Sequence, residues 1–236
     1  VPPLPDTERP TSGGFNLGAL RGAASAVRDR LSQEHWNLIV RAEQSFLAGC
    51  ADGAADGEYS RVEALRVVEP LSSQTPAMTG AQTDRMMRDD GWRLLSVGRH
   101  LERLGFLSSA LACAFETDAV HHEGGYEAVV ALFDSTITFH AQYQQRPDIA
   151  PLLHLLVIKL ANPRSLAWVA QTLRGRLARL EGSAPGQVPE IALAVPDPQA
   201  WTLEVLCMRD AEGRHANALE VFRQCANAAY QLSDGL

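Results

Sequence analysis

Residues 91–115 read GWRLLSVGRHLERLGFLSSALACAF. Apolar residues recur at three- and four-residue spacing, which a helix of 3.6 residues per turn gathers onto faces. At about 100° per residue, Leu95, Phe106 and Cys113 fall on the same side as Arg99 and Glu102. Trp92, Ala110 and Arg103 lie just beside them. Leu94, Leu101, Leu104, Leu107 and Leu111 cover the remaining sides. A helix apolar all round belongs in the middle of a bundle, so Arg99, Glu102 and Arg103 are expected at least partly inside it. Ionised groups removed from water are costly unless paired and hydrogen-bonded. The triad is then either a structural ion-pair network that sets helix register, or an anion site. In the second reading the surplus of arginine over glutamate leaves a guanidinium for a carboxylate or phosphate, which its planar fork binds through two hydrogen bonds. Gly98 and Gly105, either side of Glu102, would admit another backbone or a ligand at that level.

Outward from this stretch, the rest of the chain is also helical in pattern. Residues 1–16, rich in proline, glycine and polar residues, read as a flexible lead-in, and 17–236 as a helical domain. Leu17 to about Leu47 is periodic, with a break midway. Residues 49–60 read as a loop, and a helix from about Ser60 is expected to end or kink at Pro70, with another break at 72–76. The central helix is expected to start by Met86 and to run to Glu116. Tyr126–Gln145 is periodic again, Arg146-Pro147 punctuates, and Asp148–Ala161 follows. Asn162-Pro163 reads as a cap and first helical residue, opening a helix to about Glu181. Residues 182–199 read as a long mobile loop, and Trp201–Ser233 as a final helix or pair. Period-two alternation of useful length is missing, so the expectation is an all-α helical bundle of about six or seven helices.

Composition narrows the function. With 236 residues, 46% hydrophobic, 21% charged and a net charge of −7, the chain is an ordinary globular sequence. Its acidity argues against nucleic acid, whose binding rests on neutralised phosphates. Cys50, Cys113, Cys207 and Cys225 are widely spaced and read as small buried apolar residues in a reducing compartment, with no metal cluster. The longest apolar run, Leu152–Ala161, holds His154 and Lys159 and falls short of the ~20 residues a membrane span needs. A cytoplasmic location with no membrane association is expected. The start at Val1 suggests a piece of a longer protein.

Other candidate residues carry modest readings. His100 reads as a core or solvent-edge histidine, and His121-His122 as an exposed turn. Asp84, Asp89 and Asp90 precede the central helix, where acidic side chains stabilise the helix dipole. A magnesium role for them lacks the oxygens such a cation usually needs. Arg164, at the expected start of its helix, is a secondary anion candidate. Ser165 lacks the context of a nucleophile. The four tryptophans read as core or interface anchors.

GWRLLSVGRHLERLG closely resembles the ER-motif helix of the Alpha-E family, bacterial all-helical domains named for a Glu-Arg pair, here Glu102-Arg103. AASAVRDRLSQEHWNLI (23–39), MTGAQTDRMMRDDGW (78–92), NPRSLAWVAQTL (162–173) and YQLSDGL are similar to further family segments in the same order. The resemblance covers about residues 17–236. An earlier ER-type helix of the form LYWLGRYxERAE, usual in the family, is missing. The resemblance implies a setting with circularly permuted ATP-grasp proteins, in trans or fused, and with transglutaminase-like proteins. The expected role is a helical accessory or interaction module of an ATP-dependent amide-bond-forming or peptide-modifying system, without a cofactor of its own. Two alternatives stand beside it. One is a transferase or amide-forming enzyme binding a carboxylate or phosphate at Arg99, Glu102 and Arg103. The other is an oligomeric scaffold, which would make the chain a homo-oligomer.

Overall fold

The fold is that of a computed structural model, which describes residues 4–53, 59–143, 148–182 and 187–235. The expected readings at residues 54–58, Arg146-Pro147 and 183–186 lie outside the described residues. Among the described residues the chain is all-helical, with eleven α-helices rather than six or seven and no strand. The excess comes from proline-free breaks at 27–32, 133–135 and 208–215, and from a short helix at Glu190–Leu193 inside the expected loop. The chain divides into two compact units, residues 1–88 and 89–236.

In the first unit α1 (Gly13–Ala26) and α3 (Arg61–Arg85) both pack on α2 (Gln33–Gly53). The expected midway break falls after α1, where a single tight turn (Arg28–Arg30) precedes Ser32. The Ser32 hydroxyl accepts the His35 amide at 3.1 Å and so starts the next helix. The lead-in is packed further than expected. Asp6 accepts the amides of Glu8 and Arg9 at 2.8 and 3.1 Å, and Ser12 caps α1, which begins at Gly13, ahead of Leu17. The turn sits so close to the helix that a methyl on Gly14 would lie 2.6 Å from the Pro5 carbonyl oxygen.

Two expectations are corrected here. Helix α2 continues into the expected loop, as far as Gly53. Helix α3, opened by a reciprocal Ser60–Glu63 cap, runs unbroken through both Pro70 and Pro76. Each proline removes one backbone donor. Both prolines, and the residues four positions earlier, Arg66 and Ser72, are exposed, so water can take up the released carbonyls. The unit's core is Ala24, Ile39, Ala42 and Met78 at one end, and Phe46, Cys50, Tyr59 and Val67 at the other.

The second unit is built round α4 (Asp90–Glu116), which packs along α11 (Ala216–Gly235) and α8 (Leu166–Leu180). Helix α4 starts at Asp90 rather than by Met86, because Asp89 accepts the Trp92 amide at 3.0 Å and fixes the first turn. Helices α5 (Glu123–Leu132) and α6 (Thr136–Tyr143) divide the expected single helix. At the break Asp134 takes a left-handed backbone, φ 45°, while Asp134 and Ser135 donate their amides back to Ala131 and Val130. The apolar run begins as α7 (Ile149–Leu153) and closes in one wide turn (His154–Ile158). Leu152, Leu153, Leu155, Leu156 and Val157 are completely buried there.

Helix α8 is capped by Ser165, whose hydroxyl accepts the Trp168 amide at 3.1 Å, and not by Asn162. Asn162 instead folds the turn in front by accepting the Arg164 amide, so Pro163 stands outside the helix. Part of the supposed mobile loop is packed structure: α9 (Glu190–Leu193) leads to the fully buried Val195. Arg174 ties it down, donating to the Val195 carbonyl at 2.5 Å and to the Ala192 carbonyl at 3.3 Å. Helix α10 (Leu203–Cys207) packs on α7 and α11. Of the cysteines, Cys50 and Cys225 are buried as expected; Cys207 is half-buried and Cys113 exposed. Burial pushes the Cys225 thiol up to about 12. Among the described residues no helix is long and apolar enough to cross a membrane.

Candidate functional site

The face of α4 that the wheel identifies is real, but it is not interior. Val97, Leu101, Leu104, Leu107, Leu111 and Ala114 form the buried stripe. Arg99 and Glu102 are exposed, and so are Leu94, Leu95, Phe106 and Cys113, which share or border their arc. The expected buried Arg99–Glu102–Arg103 centre is therefore corrected: only Arg103 is half-buried. Leu95, Phe106 and Cys113 are left uncovered with the charges, since α8 and α11 occupy other sides of the helix, while Trp92 at the edge of the arc is buried.

What the fold adds is a second source of positive charge beside Arg103. The turn before α8 brings Arg164 within electrostatic reach. Burial first, then Arg164 and then Arg99, holds the Arg103 guanidinium below its usual range. It remains a cation at neutral pH, since arginine is effectively always protonated. Among the described residues no carboxylate or carbonyl forms an ion pair or hydrogen bond with Arg103. Arg164 itself pairs with Asp134, which the left-handed turn between α5 and α6 presents. Arg99 and Arg164, read from the sequence as separate candidates, both act on Arg103 electrostatically. Glu102, one residue along, turns to the other side.

His100 lies under this cluster. It is buried, its Nδ1 donates to the Ser96 carbonyl at 2.6 Å, and its ring lies 5.9 Å from that of Trp168 on α8. Desolvation lowers its pKa, and Arg99, Arg176 and Arg103 push in the same direction. The imidazole is neutral with Nε2 bearing the lone pair. Arg176 is stacked over Trp92, 4.6 Å from the ring centre. His100 thus packs on Trp168, while Trp92 carries Arg176. Asp89 caps the helix, and Asp90 pairs with Arg93 at 2.5 Å. Sequence reasoning missed Asp134, Arg176 and Trp168 as the site's partners. Only the left-handed turn and the crossing of α8 bring them there, and no local pattern signals either.

Glu102 faces the crevice between α4 and α11 with Phe106 and Tyr230. The chain contains two Glu-Arg pairs, Glu8-Arg9 in the turn before α1 and Glu102-Arg103 within a helix. The family model described as "a predicted alpha-helical domain with a conserved ER motif" matches residues 4–235. The chain belongs to the Alpha-E family. The match takes in the packed turn at 4–12 as well as the segments from 17 onward, so the Alpha-E domain covers both compact units. The chain is 27% identical over 193 residues to Uncharacterized protein Rv2567 of Mycobacterium tuberculosis, and equally to Uncharacterized protein Mb2597 of Mycobacterium bovis. That stretch is 78% of this chain and 21% of each relative, so the Alpha-E chain spans about a fifth of the curated relatives it matches. No solved structure matches it.

Proposed function

We propose that this Alpha-E domain is a helical binding module that holds a carboxylate or phosphate group against Arg103, serving an ATP-grasp-linked amide-bond-forming system. The observation that carries the anion site is the half-buried Arg103, flanked by Arg99 and Arg164 and without an acceptor of its own among the described residues. A desolvated cation pressed by like charge is unfavourable until an anion neutralises it. A guanidinium supplies the two parallel donors that carboxylate and phosphate accept. The ATP-grasp setting is supported by the family resemblance alone. It fits because amide-bond formation consumes carboxylates, the group that a guanidinium binds through two parallel donors.

The test joins ligand and partner. Wild-type protein and Arg103→Gln are each co-expressed with a circularly permuted ATP-grasp protein, and complexes and products are read by affinity capture and mass spectrometry. Capture and a modified product with the wild type are expected, with both diminished by the variant. Inorganic phosphate should raise the melting temperature of the wild type more than that of Arg103→Gln. Equal phosphate shifts in two folded proteins would remove the anion site, and absence of capture would remove the partner.

A further inference from the structure

We propose that the crevice beside Glu102 is a binding site for a primary alkylammonium group, the chemistry of a lysine side chain or a free aliphatic amine. It lies on the opposite flank of α4 from Arg103, uses other residues, and does not depend on the anion reading. The crevice has a volume of about 200 Å³ between α4 and α11, with Glu102, Phe106, Tyr230 and Ser233 around a floor of Gly105 and Ala229. Pockets for drug-sized ligands run to roughly 300–1,000 Å³, so this one suits a single head group on a short stem.

Three features select the charge. Glu102 puts a carboxylate at the rim, and among the described residues no cation pairs with it. Phe106 and Tyr230 are 57% and 58% exposed, large aromatic side chains left open to solvent beside that carboxylate. An aromatic face attracts a cation through its quadrupole and repels an anion, so rings and carboxylate favour the same guest. The Tyr230 hydroxyl is 3.3 Å from the Ser109 hydroxyl, which steadies the ring. An ammonium has three N–H donors; Glu102 and the Ser233 hydroxyl can accept two, leaving the third to water. Its methylene stem would lie along Phe106 and Tyr230.

The floor explains why the crevice stays open. A methyl built on Gly105 would stand 3.4 Å from the Ala229 Cβ and 3.8 Å from the Tyr230 ring. The two helices therefore meet backbone to small side chain at that level, and α4 sends nothing into the space that the guest would fill.

The experiment is an NMR titration of the isotopically labelled full chain with n-butylammonium and, separately, with an acetylated and amidated Ala-Lys-Ala peptide. Butanol and the peptide acetylated on its lysine side chain are the neutral counterparts. Saturable shifts of the Gly105, Phe106, Tyr230 and Ser233 amides at millimolar ligand are expected from at least one cation and from neither neutral compound. Glu102→Gln and Phe106→Ala should each weaken binding by about fivefold or more. Both single variants alter exposed side chains, so their folds are expected to persist. Binding of the peptide alone assigns the site to lysine side chains; binding of butylammonium assigns it to free amines. Shifts that do not saturate, that the neutral compounds reproduce, or that survive Glu102→Gln overturn the proposal.

Discussion

At the scale of single residues, the neighbours Glu102 and Arg103 differ by burial and by partner. Glu102 is exposed, so Glu102→Ala should change the free energy of unfolding by no more than ~0.5 kcal/mol, against the several kcal/mol that breaking a buried pair would cost. Denaturant melts at neutral pH decide between these. Arg103 is half-buried among like charges. Replacing it with methionine, which keeps the length and drops the charge, should leave stability unchanged or raise it by up to ~1 kcal/mol. A clear loss in the same melts would mean that Arg103 has an internal partner. Asp134 answers Arg164 from a left-handed turn. The pair is too exposed to contribute much energy, so its effect is on where Arg164 stands.

At the scale of elements, helices here end where a cap or a packed turn stops them and not always where proline stands. Pro70 lies inside α3 on its exposed side. Pro70→Ala restores one helical hydrogen bond and should stabilise the first unit by about 1–3 kcal/mol, measurable as a higher denaturant midpoint. The turn between α4 and α5 tolerates less. A methyl on Gly125 would sit 2.3 Å from the Ala119 carbonyl oxygen, a backbone atom with nowhere to go. Gly125→Ala is expected to cost about 1–3 kcal/mol by the same measurement. The caps at Ser12, Ser60, Asp89 and Ser165 are serines or aspartates placed before apolar periodicity, a signal available in the sequence. At α8 the competing Asn162-Pro163 signal is satisfied locally by an Asx turn, so the cap falls three residues later.

At the scale of the whole molecule, buried histidines set a response to acid. Desolvation lowers the pKa of His35, His100 and His215 below 6.5. Near His215, Arg209 and His121 add to that effect, and the His121 ring is stacked 6.0 Å away. The unfolded chain therefore takes up protons at these sites before the folded chain does. Their contribution to stability is complete above about pH 6.5 and is lost as pH falls below it, through each depressed folded value. Denaturant midpoints measured from pH 7.5 down to pH 5 should decline. A triple His→Gln variant at 35, 100 and 215 should show a flatter profile, provided it folds. A midpoint that stays level for the wild type would contradict the burial of these rings.

What the sequence determined by itself is the helical class, the start of α3 at Ser60, and the arc on which Arg99, Glu102 and Arg103 share α4 with Leu95, Phe106 and Cys113. These follow from local rules: a 3.6-residue period fixes which side chains share a face, and a side-chain oxygen ahead of an apolar run satisfies the free amides of a first turn. Which arc is covered was decided only by tertiary structure. Apolar content shows that a helix face could be buried, but whether α8, α11 or solvent lies against it depends on chain crossings that no local window contains. That is why the triad expected inside the bundle separates, with Glu102 at an aromatic crevice and Arg103 beside Arg164, a residue 61 positions further along the chain.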